Sequence, residues 1–570
     1  MNKQAKTLMF LGTGSDVGKS ILAAAFCRIL KQDGYRVAPF KAQNMALNSF
    51  ITPEGGEMGR AQVVQAEAAG IAPHVDMNPI LLKPTSQMGS QVIVRGKAIG
   101  NFSARDYYQY KKELVAVVRE CFERLASQYD VIVLEGAGSA VELNLKEHDL
   151  VNLAMADMAD ARCVLVGDID RGGIFAALLG SYMLMTPREQ DRIIGFVVNK
   201  LRGDPRLFTN GVDIIESRSG RPVLGVIPYF DHIALPEEDS VALMKRMERG
   251  CKTLRINTAK STSTCTGGAG AGFTADGMAM ENTREGQATE DRLTIGIVRL
   301  PFVSNYTDFD CFEQEPGVDL VYFNRPEKVF HFDAVIIPGT KNTLEDLDFL
   351  QRTGLAEAII AYYKTGGTVL GLCGGYQMLG VRVRDPHGVE SGLREVKGLG
   401  LLEMETEMFL DKITSQVEAT FLAPCAEAGP SDASRSSLST VSSISPMSSL
   451  CGYEIHMGRS ISTGASRPLF RITRRDGRPA DILDGLTQPD GRVWGTYIHG
   501  IFDNDGFRRA FLQDLQRRSG KGQSSMSDVF SYRQWKEEQF DLLAEHIRRH
   551  TDVELIYRSL GLSRKQERLG

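Results

Sequence analysis

Several features that mark other classes of protein are missing or scarce in this sequence. It has no run of about 18 apolar residues, so no membrane-spanning helix is expected, and its start does not read as a signal peptide. The nine cysteines are scattered without a CxxC pair, which argues against a disulfide framework or a zinc site. The formal net charge is only −5, so charge favours neither nucleic acid nor membrane as a partner. We expect a cytoplasmic globular protein.

Length and composition indicate more than one domain. The 570 residues are 42% hydrophobic and 24% charged, which suits two or three globular domains with a core each. Two stretches, 257–290 and 424–450, are rich in small and polar residues and have no apolar period, which is typical of linkers and disordered insertions. The predicted division is a first domain over 1–250, a linker over 251–290, a second domain over 291–515 that carries the insertion near 424–450, and a helical tail over 516–570.

Apolar runs alternate with helical patterns in both predicted domains. Examples are DVIVLE from Asp130 and TVLGLC from Thr368, each followed by glycine and then by a helical pattern. Continuous apolar strands that alternate with helices are typical of parallel sheets covered on both faces. The predicted fold class is therefore α/β, with a parallel sheet in each domain.

The most informative stretch is Leu8–Ser20, which reads LMFLGTGSDVGKS. An apolar run leads into a glycine-rich turn and then into residues with apolar side chains at helical spacing. This is the setting in which backbone N–H groups and a lysine hold phosphate. The usual pattern has glycine where this sequence has Thr13, so an ordinary strand-to-helix turn is the alternative. The predicted nucleotide-binding residues are Gly12, Thr13, Gly14, Ser15, Gly18, Lys19 and Ser20.

Polar residues follow two of the other predicted strands. Lys41, Gln43 and Asn44 come after a short strand that ends near Pro39, and Glu135 ends the run DVIVLE. Ligands of open parallel sheets bind beyond the carboxyl ends of the strands, so these side chains are expected on the nucleotide side. Glu135 together with the serine of the glycine-rich turn is predicted to hold Mg²⁺. The alternative is that these are solvated residues at strand ends.

A second centre of chemistry is predicted around Cys373. The sequence GLCGG follows an apolar run and precedes a helical segment, which is the thiol form of a nucleophile elbow. The nucleophile needs a base, and His499 at the end of VWGTYIH is the predicted partner. The backbone N–H groups of Gly374 and Gly339 are the predicted oxyanion hole. A buried structural thiol is the alternative.

Motifs along nearly the whole chain, apart from the two low-complexity stretches and the tail, carry a resemblance to a known family. They include GTGSDVGKS, PFKAQNMALNS, EMGRAQVVQAEAA, LEGAGSAVELNL, VGDIDRGGIFA, VVNKLRGD, PGTKNTLEDL, GLCGGYQMLG, GYEIHMGR and WGTYIHGIFD. On these segments the chain resembles the cobyric acid synthase family, the glutamine-dependent amidotransferases of cobalamin biosynthesis.

The resemblance implies a reaction and an architecture. It implies ATP-dependent amidation of the b, d, e and g carboxylates of adenosylcobyrinic acid a,c-diamide, with ammonia taken from glutamine. It also implies a phosphate-loop N-terminal domain similar to dethiobiotin synthetase and a class I glutamine amidotransferase domain at the C-terminus. The expected ligands are thus a corrinoid, glutamine, ATP and Mg²⁺, with no nucleic acid and no membrane.

The residue roles implied by the resemblance can be placed on this sequence. Lys19 is expected at the transferring phosphate, and Ser20 and Glu135 at Mg²⁺. Lys41 is expected to stabilise the transferred charge. Asn199 is expected at the adenine. Asp149, Asp168 and Arg171 are expected at the substrate carboxylate, Asp149 as a catalytic residue and the other two as binding residues. Most class I glutaminases have a glutamate two residues after the histidine, but here that position is Ile501. The expected catalytic unit is therefore a cysteine–histidine dyad without an orienting acid.

Two other functions fit part of the same sequence. A ligase of the same build, cobyrinic acid a,c-diamide synthase, is the first, and PFKAQNMALNS and EMGRAQ favour the cobyric acid type instead. The second is a non-enzymatic partitioning or scaffold ATPase with a deviant phosphate loop. That function does not require a cysteine elbow or a distant histidine, whereas the sequence has both Cys373 and His499.

Overall fold

The computed structural model describes residues 5–86, 89–230, 232–236, 292–422, 449–521 and 530–564. The predicted linker over 251–290 and nearly all of the predicted insertion over 424–450 lie outside these ranges, and only 449–450 are described, within a strand. The chain divides into two compact units. Unit 1 consists of Met1–Glu238, Thr414–Gln416 and Arg533–Gly570, and unit 2 consists of Asp239–Ile413 and Val417–Tyr532.

The N-terminal part of unit 1 alternates strands with helices. Its strands are β1 (Lys6–Gly12), β2 (Val37–Phe40), β3 (Gln43–Met45), β4 (Ser49–Ile51), β5 (Glu57–Gly59), β6 (Ile80–Ser86), β7 (Gly89–Val94), β8 (Lys97–Ser103), β9 (Val131–Glu135), β10 (Arg162–Asp168), β11 (Ile193–Leu201) and β12 (Val223–Pro228). Its helices are α1 (Lys19–Gln32), α2 (Arg60–Ala69), α3 (Ala104–Gln128), α4 (Leu153–Met158), α5 (Ile174–Met183), α6 (Pro187–Gln190) and α7 (Thr209–Ser219).

The main sheet of unit 1 is parallel and buried. Its six strands run in the order β12-β11-β10-β1-β9-β2, and every pairing between neighbours is parallel. One apolar cluster fills each face, which explains why β1 and β9 are apolar along their length rather than alternating. The carboxyl ends of β1, β9, β10 and β11 meet at one edge, where the predicted nucleotide residues are found.

A smaller sheet forms from the stretch between β2 and α3. Strands β3, β6, β7 and β8 build a four-stranded sheet, and β4 pairs with β5. The pairing was hard to predict because these strands are short and their residues mix glycine, proline and charge. This sheet matters for function because β3 follows directly on β2 and its Gln43 lines the cavity described below.

Unit 2 is built on one large mixed sheet. Its strands are β13 (Leu293–Val298), β14 (Val318–Phe323), β15 (Ala334–Ile337), β16 (Thr368–Leu372), β17 (Arg382–Arg384), β18 (Glu395–Lys397), β19 (Met404–Phe421), β20 (Ser449–Ser462), β21 (Arg467–Arg475), β22 (Arg478–Thr487), β23 (Val493–Thr496) and β24 (Ile498–His499). Its helices are α8 (Asp310–Gln314), α9 (Thr343–Arg352), α10 (Leu355–Lys364), α11 (Gly374–Met378) and α12 (Asp505–Ser519).

The strands of unit 2 that carry the predicted glutaminase are parallel. The order β14-β13-β15-β16-β23 is parallel throughout, and the sheet then continues through the antiparallel strands β22, β21 and β19. Strand β16 lies between β15 and β23. The residues that follow β15 and β16, and those that follow β23, therefore come together at one edge.

The C-terminal tail packs on unit 1. It forms α13 (Tyr532–His550) and α14 (Val553–Leu560), whose apolar side chains, such as Phe540 and Ile556, join the cluster that covers α1. Arg28 of α1 is buried and forms ion pairs with Glu537 (2.8 Å) and Asp541 (2.7 Å) of the tail. Within the described residues, no helix is both long and apolar enough to span a membrane.

Candidate active sites

The glycine-rich turn after β1 has the geometry of a phosphate loop. Strand β1 ends at Gly12 and α1 begins at Lys19, with Gly18 at a φ of 105° as the residue before the helix. A Cβ on Gly18 would lie 2.1 Å from Nδ2 of Asn199, so this position accepts only glycine. The loop is thereby held closely over the end of β11.

Lys19 folds back across this loop. Its Nζ donates to the carbonyl oxygens of Gly14 (2.8 Å) and Gly138 (2.9 Å), and its side chain is buried. The turn that carries Gly138 follows β9 and is held by Asn152, whose side chain donates to Ala137 and Ser139. The ammonium group is thus held at the loop, where a bound triphosphate would need it.

Glu135 is the centre of a buried polar cluster beside the loop. Its Oε1 accepts from Ser20 Oγ and from Lys41 Nζ, both at 2.7 Å, and its Oε2 accepts from Gln65 Nε2 at 2.6 Å. Burial alone would raise the pKa of Glu135, but the charge of Lys41 and the hydrogen bonds from Lys41, Ser20 and Gln65 outweigh it and lower the pKa. The carboxylate therefore stays ionised.

The oxygen atoms of this cluster fit a magnesium ion. Mg²⁺ prefers oxygen ligands, usually one or two protein groups completed by water and substrate phosphates. Ser20 directly follows the phosphate-loop lysine, and its hydroxyl contacts an ionised carboxylate at the end of the neighbouring strand. Both groups are hard oxygen donors at the position where the phosphates of a bound nucleotide would lie.

Asn199, Asp168 and Arg171 lie on the other side of the loop. Asn199 donates to the carbonyl oxygen of Val17 at 2.9 Å, so its amide nitrogen holds the loop. Asp168 Oδ2 is 2.9 Å from Lys200 Nζ and 3.6 Å from Arg171 Nε, and Arg171 also contacts Asp16 at 3.1 Å. The adenine role of Asn199 and the carboxylate role of the other two remain predictions.

A cavity of about 680 Å³ opens beside the phosphate loop in unit 1. It is lined by Thr13, Gly14 and Ser15 and by the segment from 137 to 154, but not by Asp168 or Arg171. Asp149 lines it as well, yet the oxygens of Asp149 accept the backbone N–H groups of Val151, Asn152 and Ala154, all at 3.0 Å. The geometry therefore gives Asp149 the work of shaping the turn before α4, and its predicted catalytic role stays a prediction.

Cys373 lies at a strained turn in unit 2. It connects β16 to α11 with a φ of 51°, a left-handed conformation that is rare for residues other than glycine. A Cβ on Gly371 would lie 2.5 Å from the carbonyl oxygen of Gly375, and one on Gly375 would lie 2.0 Å from that of Ile337. The glycines on both sides of the cysteine are therefore needed for the turn, as the elbow pattern predicts.

His499 has an acidic partner, so the expectation of a dyad is wrong. Its Nδ1 is 2.6 Å from Oδ2 of Asp308, and the other carboxylate oxygen accepts the N–H of Gly500 at 2.9 Å. The ring also stacks on Tyr453, with centroids 5.2 Å apart. The acid comes from Asp308, in the segment just before α8, instead of from position 501.

The second ring nitrogen of His499 faces the cysteine side of the site. Nε2 is buried and has no hydrogen-bond partner among the described residues. Burial alone would lower the pKa of this imidazole, but the carboxylate of Asp308 and the nearby Cys373 raise it to about 10. The ring is thus held ready to carry a proton beside the sulfur.

The two predicted oxyanion residues lie against the same pair. A Cβ on Gly339 would be 3.2 Å from Cε1 of His499 and 3.8 Å from Cβ of Cys373, so this glycine lies next to both. Gly374 directly follows the cysteine and is packed against Thr340. These positions fit the predicted oxyanion role of their N–H groups, which stays a prediction.

Sequence reasoning missed two side chains that contact predicted site residues, Asp308 beside His499 and Gln65 beside Glu135. Asp308 lies 191 residues before His499 in sequence and belongs to no motif with it. Gln65 occurs inside EMGRAQVVQAEAA, a segment noted only for its resemblance, and its contact with Glu135 depends on how α2 packs. A search for a buried carboxylate near a histidine needs the fold, so the sequence held no signal for Asp308.

Fold and geometry together define a class. One unit has the phosphate loop of a nucleotide-dependent enzyme, and the other has the cysteine, histidine and carboxylate of a hydrolytic thiol enzyme. Residues 8–242 match the CobQ/CobB/MinD/ParA nucleotide binding domain, and residues 294–507 match the CobB/CobQ-like glutamine amidotransferase domain. The chain is therefore an α/β enzyme that combines nucleotide binding with glutamine hydrolysis, as the sequence predicted.

Full-length relatives give the family. The chain is 67% identical over 560 residues to cobyric acid synthase from Syntrophobacter fumaroxidans, which covers 98% of this chain and 99% of the relative. It is 45% identical over 559 and 567 residues to the proteins of that name from Photorhabdus laumondii and Desulfitobacterium hafniense, with 98% of this chain covered in each case. The chain belongs to the cobyric acid synthase family, a family of glutamine-hydrolysing ligases.

Proposed function

We propose that this protein converts adenosylcobyrinic acid a,c-diamide to adenosylcobyric acid by amidating its b, d, e and g carboxylates in turn. ATP activates each carboxylate, and glutamine supplies the ammonia. The observation that carries the proposal is the presence, in one chain of this family, of the Lys19 phosphate loop and of Cys373 beside an oriented His499.

A carboxylate is a poor acyl donor and has to be activated before ammonia can attack it. In the proposed step a carboxylate oxygen attacks the γ-phosphorus of ATP, the bond to the bridging oxygen breaks, and ADP leaves. Ammonia then attacks the acyl phosphate, loses a proton and expels phosphate, so that each amide consumes one ATP. Lys19 stabilises the charge of the transferring phosphate, and Lys41, which is paired with Glu135, stabilises the transferred charge.

Ser20 and Glu135 are the proposed holders of Mg²⁺. When bound, the ion would neutralise part of the charge on the transferring phosphate. Gln65 donates to Glu135 at 2.6 Å and keeps that carboxylate directed at Ser20. The protein thus holds Ser20, Glu135 and Lys41 in a fixed arrangement next to the loop.

The glutaminase half uses Cys373 as nucleophile. Nε2 of His499 takes the thiol proton, the sulfur attacks the side-chain carboxamide of glutamine, and the N–H groups of Gly339 and Gly374 stabilise the oxyanion. His499 then passes that proton from Nε2 to the departing ammonia as the carbon–nitrogen bond breaks. Water then attacks the thioester, returns the proton to the ring and releases glutamate. Asp308 holds the ring by Nδ1 and stabilises its charged form, which makes it a positioning residue.

Two further parts of the proposal come from composition and family. We place the protein in the cytoplasm, and we propose neither nucleic acid nor a membrane as partner. The runner-up, cobyrinic acid a,c-diamide synthase, would use a substrate whose a and c carboxylates are still free.

The test offers both corrinoids separately to the purified enzyme with ATP, Mg²⁺ and glutamine labelled with ¹⁵N at the amide. Mass spectrometry of the a,c-diamide reaction should reveal four successive products, each with one more OH replaced by labelled NH₂. Turnover of cobyrinic acid with an unchanged a,c-diamide would establish the runner-up instead. If neither corrinoid changes, the proposal is refuted.

A further inference from the structure

The cavity beside the phosphate loop is lined by a lysine that forms no ion pair with a described residue. Lys111 lies on α3, is half-buried and lines the cavity together with Thr13, Gly14 and Ser15. Tyr107, one helical turn earlier on the same face, donates to Gln43 Oε1 at 2.5 Å and so fixes this face of α3 against β3. The packing of α3 against β3 therefore fixes where Lys111 lies.

Other cations around the cavity differ from Lys111 in having partners. Every other lysine and arginine of the lining forms an ion pair with an acid: Lys146 with Glu189 (2.8 Å), Arg188 with Asp157 (2.6 Å), and Arg192 with Asp157 (2.7 Å) and Asp160 (3.0 Å). Lys111 forms no ion pair or hydrogen bond with any residue that the structure describes. A half-buried ammonium without a partner is costly, which is a reason to expect an anionic ligand.

Asp149 is the acid whose charge reaches Lys111, but it does not pair with it. Burial lowers the pKa of Lys111, and the charge of Asp149 partly opposes this effect. The oxygens of Asp149 already accept three backbone N–H groups at the start of α4, so this carboxylate is engaged by its own backbone segment. The ammonium of Lys111 is consequently left for a ligand in the cavity.

Three large apolar side chains also line the cavity. Met45 on β3 and two residues of the short 3₁₀ helix over Leu143–His148, Leu143 and Leu145, all line it. These three large apolar side chains are exposed by 59%, 51% and 42%, so they are open to a ligand in the cavity. A ligand that fits this lining has an extended apolar framework and at least one carboxylate.

We propose that this cavity is the corrinoid site, in which Lys111 binds a substrate carboxylate and Met45, Leu143 and Leu145 pack against the apolar face of the macrocycle. The inference rests on the proposed function, because it takes the substrate to be a macrocyclic polycarboxylate. The lining places such a ligand next to the residues of the phosphate loop, where its carboxylates can reach the transferring phosphate.

The experiment compares Lys111→Met with Lys112→Met, the neighbouring lysine on α3, which is exposed and does not line the cavity. Initial rates are measured with ammonia as donor, so that glutamine hydrolysis does not limit them. Lys111→Met should raise KM for the a,c-diamide at least about tenfold, which is the effect of losing a hydrogen bond to a charged group. KM for ATP and the glutaminase rate should stay within twofold of the wild type. Lys111→Arg should recover most of the loss, and Lys112→Met should match the wild type.

A second variant tests the apolar side independently of charge. Leu143→Asn combined with Leu145→Asn should weaken corrinoid binding, measured by equilibrium dialysis with the corrinoid's own absorbance as signal. Because both side chains are already exposed, the unfolding temperature should not change.

The outcomes separate this inference from the proposed function. If the wild type amidates the a,c-diamide but Lys111→Met binds and turns over the corrinoid like Lys112→Met, the inference is wrong and the function stands. An increase in KM for ATP alone would also overturn it, since Lys111 would then serve the nucleotide. If the wild type amidates no corrinoid at all, the proposed function is the part that has failed.

Discussion

Asp308 Oδ2 lies 2.6 Å from Nδ1 of His499, although the two residues are 191 positions apart in sequence. The same carboxylate accepts the N–H of Gly500, so it holds both the ring and the backbone that carries it. This contact fixes the orientation of the imidazole and directs Nε2 away from the acid. The geometry is that of a histidine in a three-residue catalytic unit, built here with an acid from another segment.

Replacing this acid should damage only the glutaminase. In Asp308→Asn the ring loses its charged partner, and we expect glutamine hydrolysis to fall by about 10² or more, in the range for general acid–base groups. Ammonia-dependent amidation should stay close to the wild-type rate, because the carboxylate is activated in unit 1. Both rates are measured on one preparation.

Asp319→Asn is a suitable control for that experiment. Asp319 pairs with Arg292 at 2.8 Å on the edge strand β14, and this substitution removes a carboxylate of unit 2 away from the cysteine. Its glutaminase rate should be normal. Equal loss of both activities in Asp308→Asn, or unchanged glutaminase, would contradict the positioning role.

The raised pKa of His499 gives a pH dependence with a definite sign. The group titrates near 10 in the folded protein and near its ordinary value of 6.5 when unfolded. Its contribution to stability is therefore complete below about pH 6.5 and is lost as the pH rises through 10. The difference in unfolding temperature between the wild type and Asp308→Asn should shrink steadily over that interval, as followed by scanning calorimetry. A constant difference would mean that the imidazole is not held as its charged form.

The local motifs were predictable from the sequence because each is a continuous segment whose chemistry depends on its own turn. The phosphate loop ending at Ser20 and the elbow at Cys373 both need glycines at fixed positions, and the observed φ angles and close contacts explain why. The buried parallel strands that lead into them were predictable for a similar reason, since burial on both faces leaves an apolar run.

Contacts that depend on packing could not be predicted in the same way. Asp308 approaches His499 only because the segment before α8 reaches the edge where β23 ends, and no spacing rule encodes that. Lys111 is one of several charged residues along α3 in the sequence, and only the packing of that helix brings it to the cavity. Gln65 is similar, because its contact with Glu135 follows from the packing of α2 rather than from a motif.

The division of labour between the two sites can be tested at the nucleophile. Cys373→Ser should abolish glutamine-dependent amidation and leave ammonia-dependent amidation largely intact. The hydroxyl is nearly the same size as the thiol but a much weaker nucleophile at neutral pH. Cys451→Ser is the control, because Cys451 is another thiol of unit 2 that the proposed mechanism does not use. Equal loss of both activities in a folded Cys373→Ser protein would refute the two-site mechanism.

The buried pair Lys41–Glu135 allows function and stability to be separated. Glu135→Gln removes the charge that compensates Lys41 at 2.7 Å, and breaking a buried pair from one side costs about 3 kcal/mol or more. The single variant should therefore lose both ATP-dependent amidation and thermal stability. In the double variant Glu135→Gln with Lys41→Met, both charges of this pair are removed together, so the unfolding temperature should recover in large part.

Activity should not recover in that double variant, since neither the proposed Mg²⁺ ligand nor the lysine is present. Glutaminase activity serves as the internal control and should be normal in both proteins. Amidation is assayed with ammonia over a range of Mg²⁺ concentrations, and the single variant should need more of the metal for any residual rate. If the double variant regained amidation along with stability, the pair would be a structural element of the fold, and the assignment of Glu135 to the metal would be wrong.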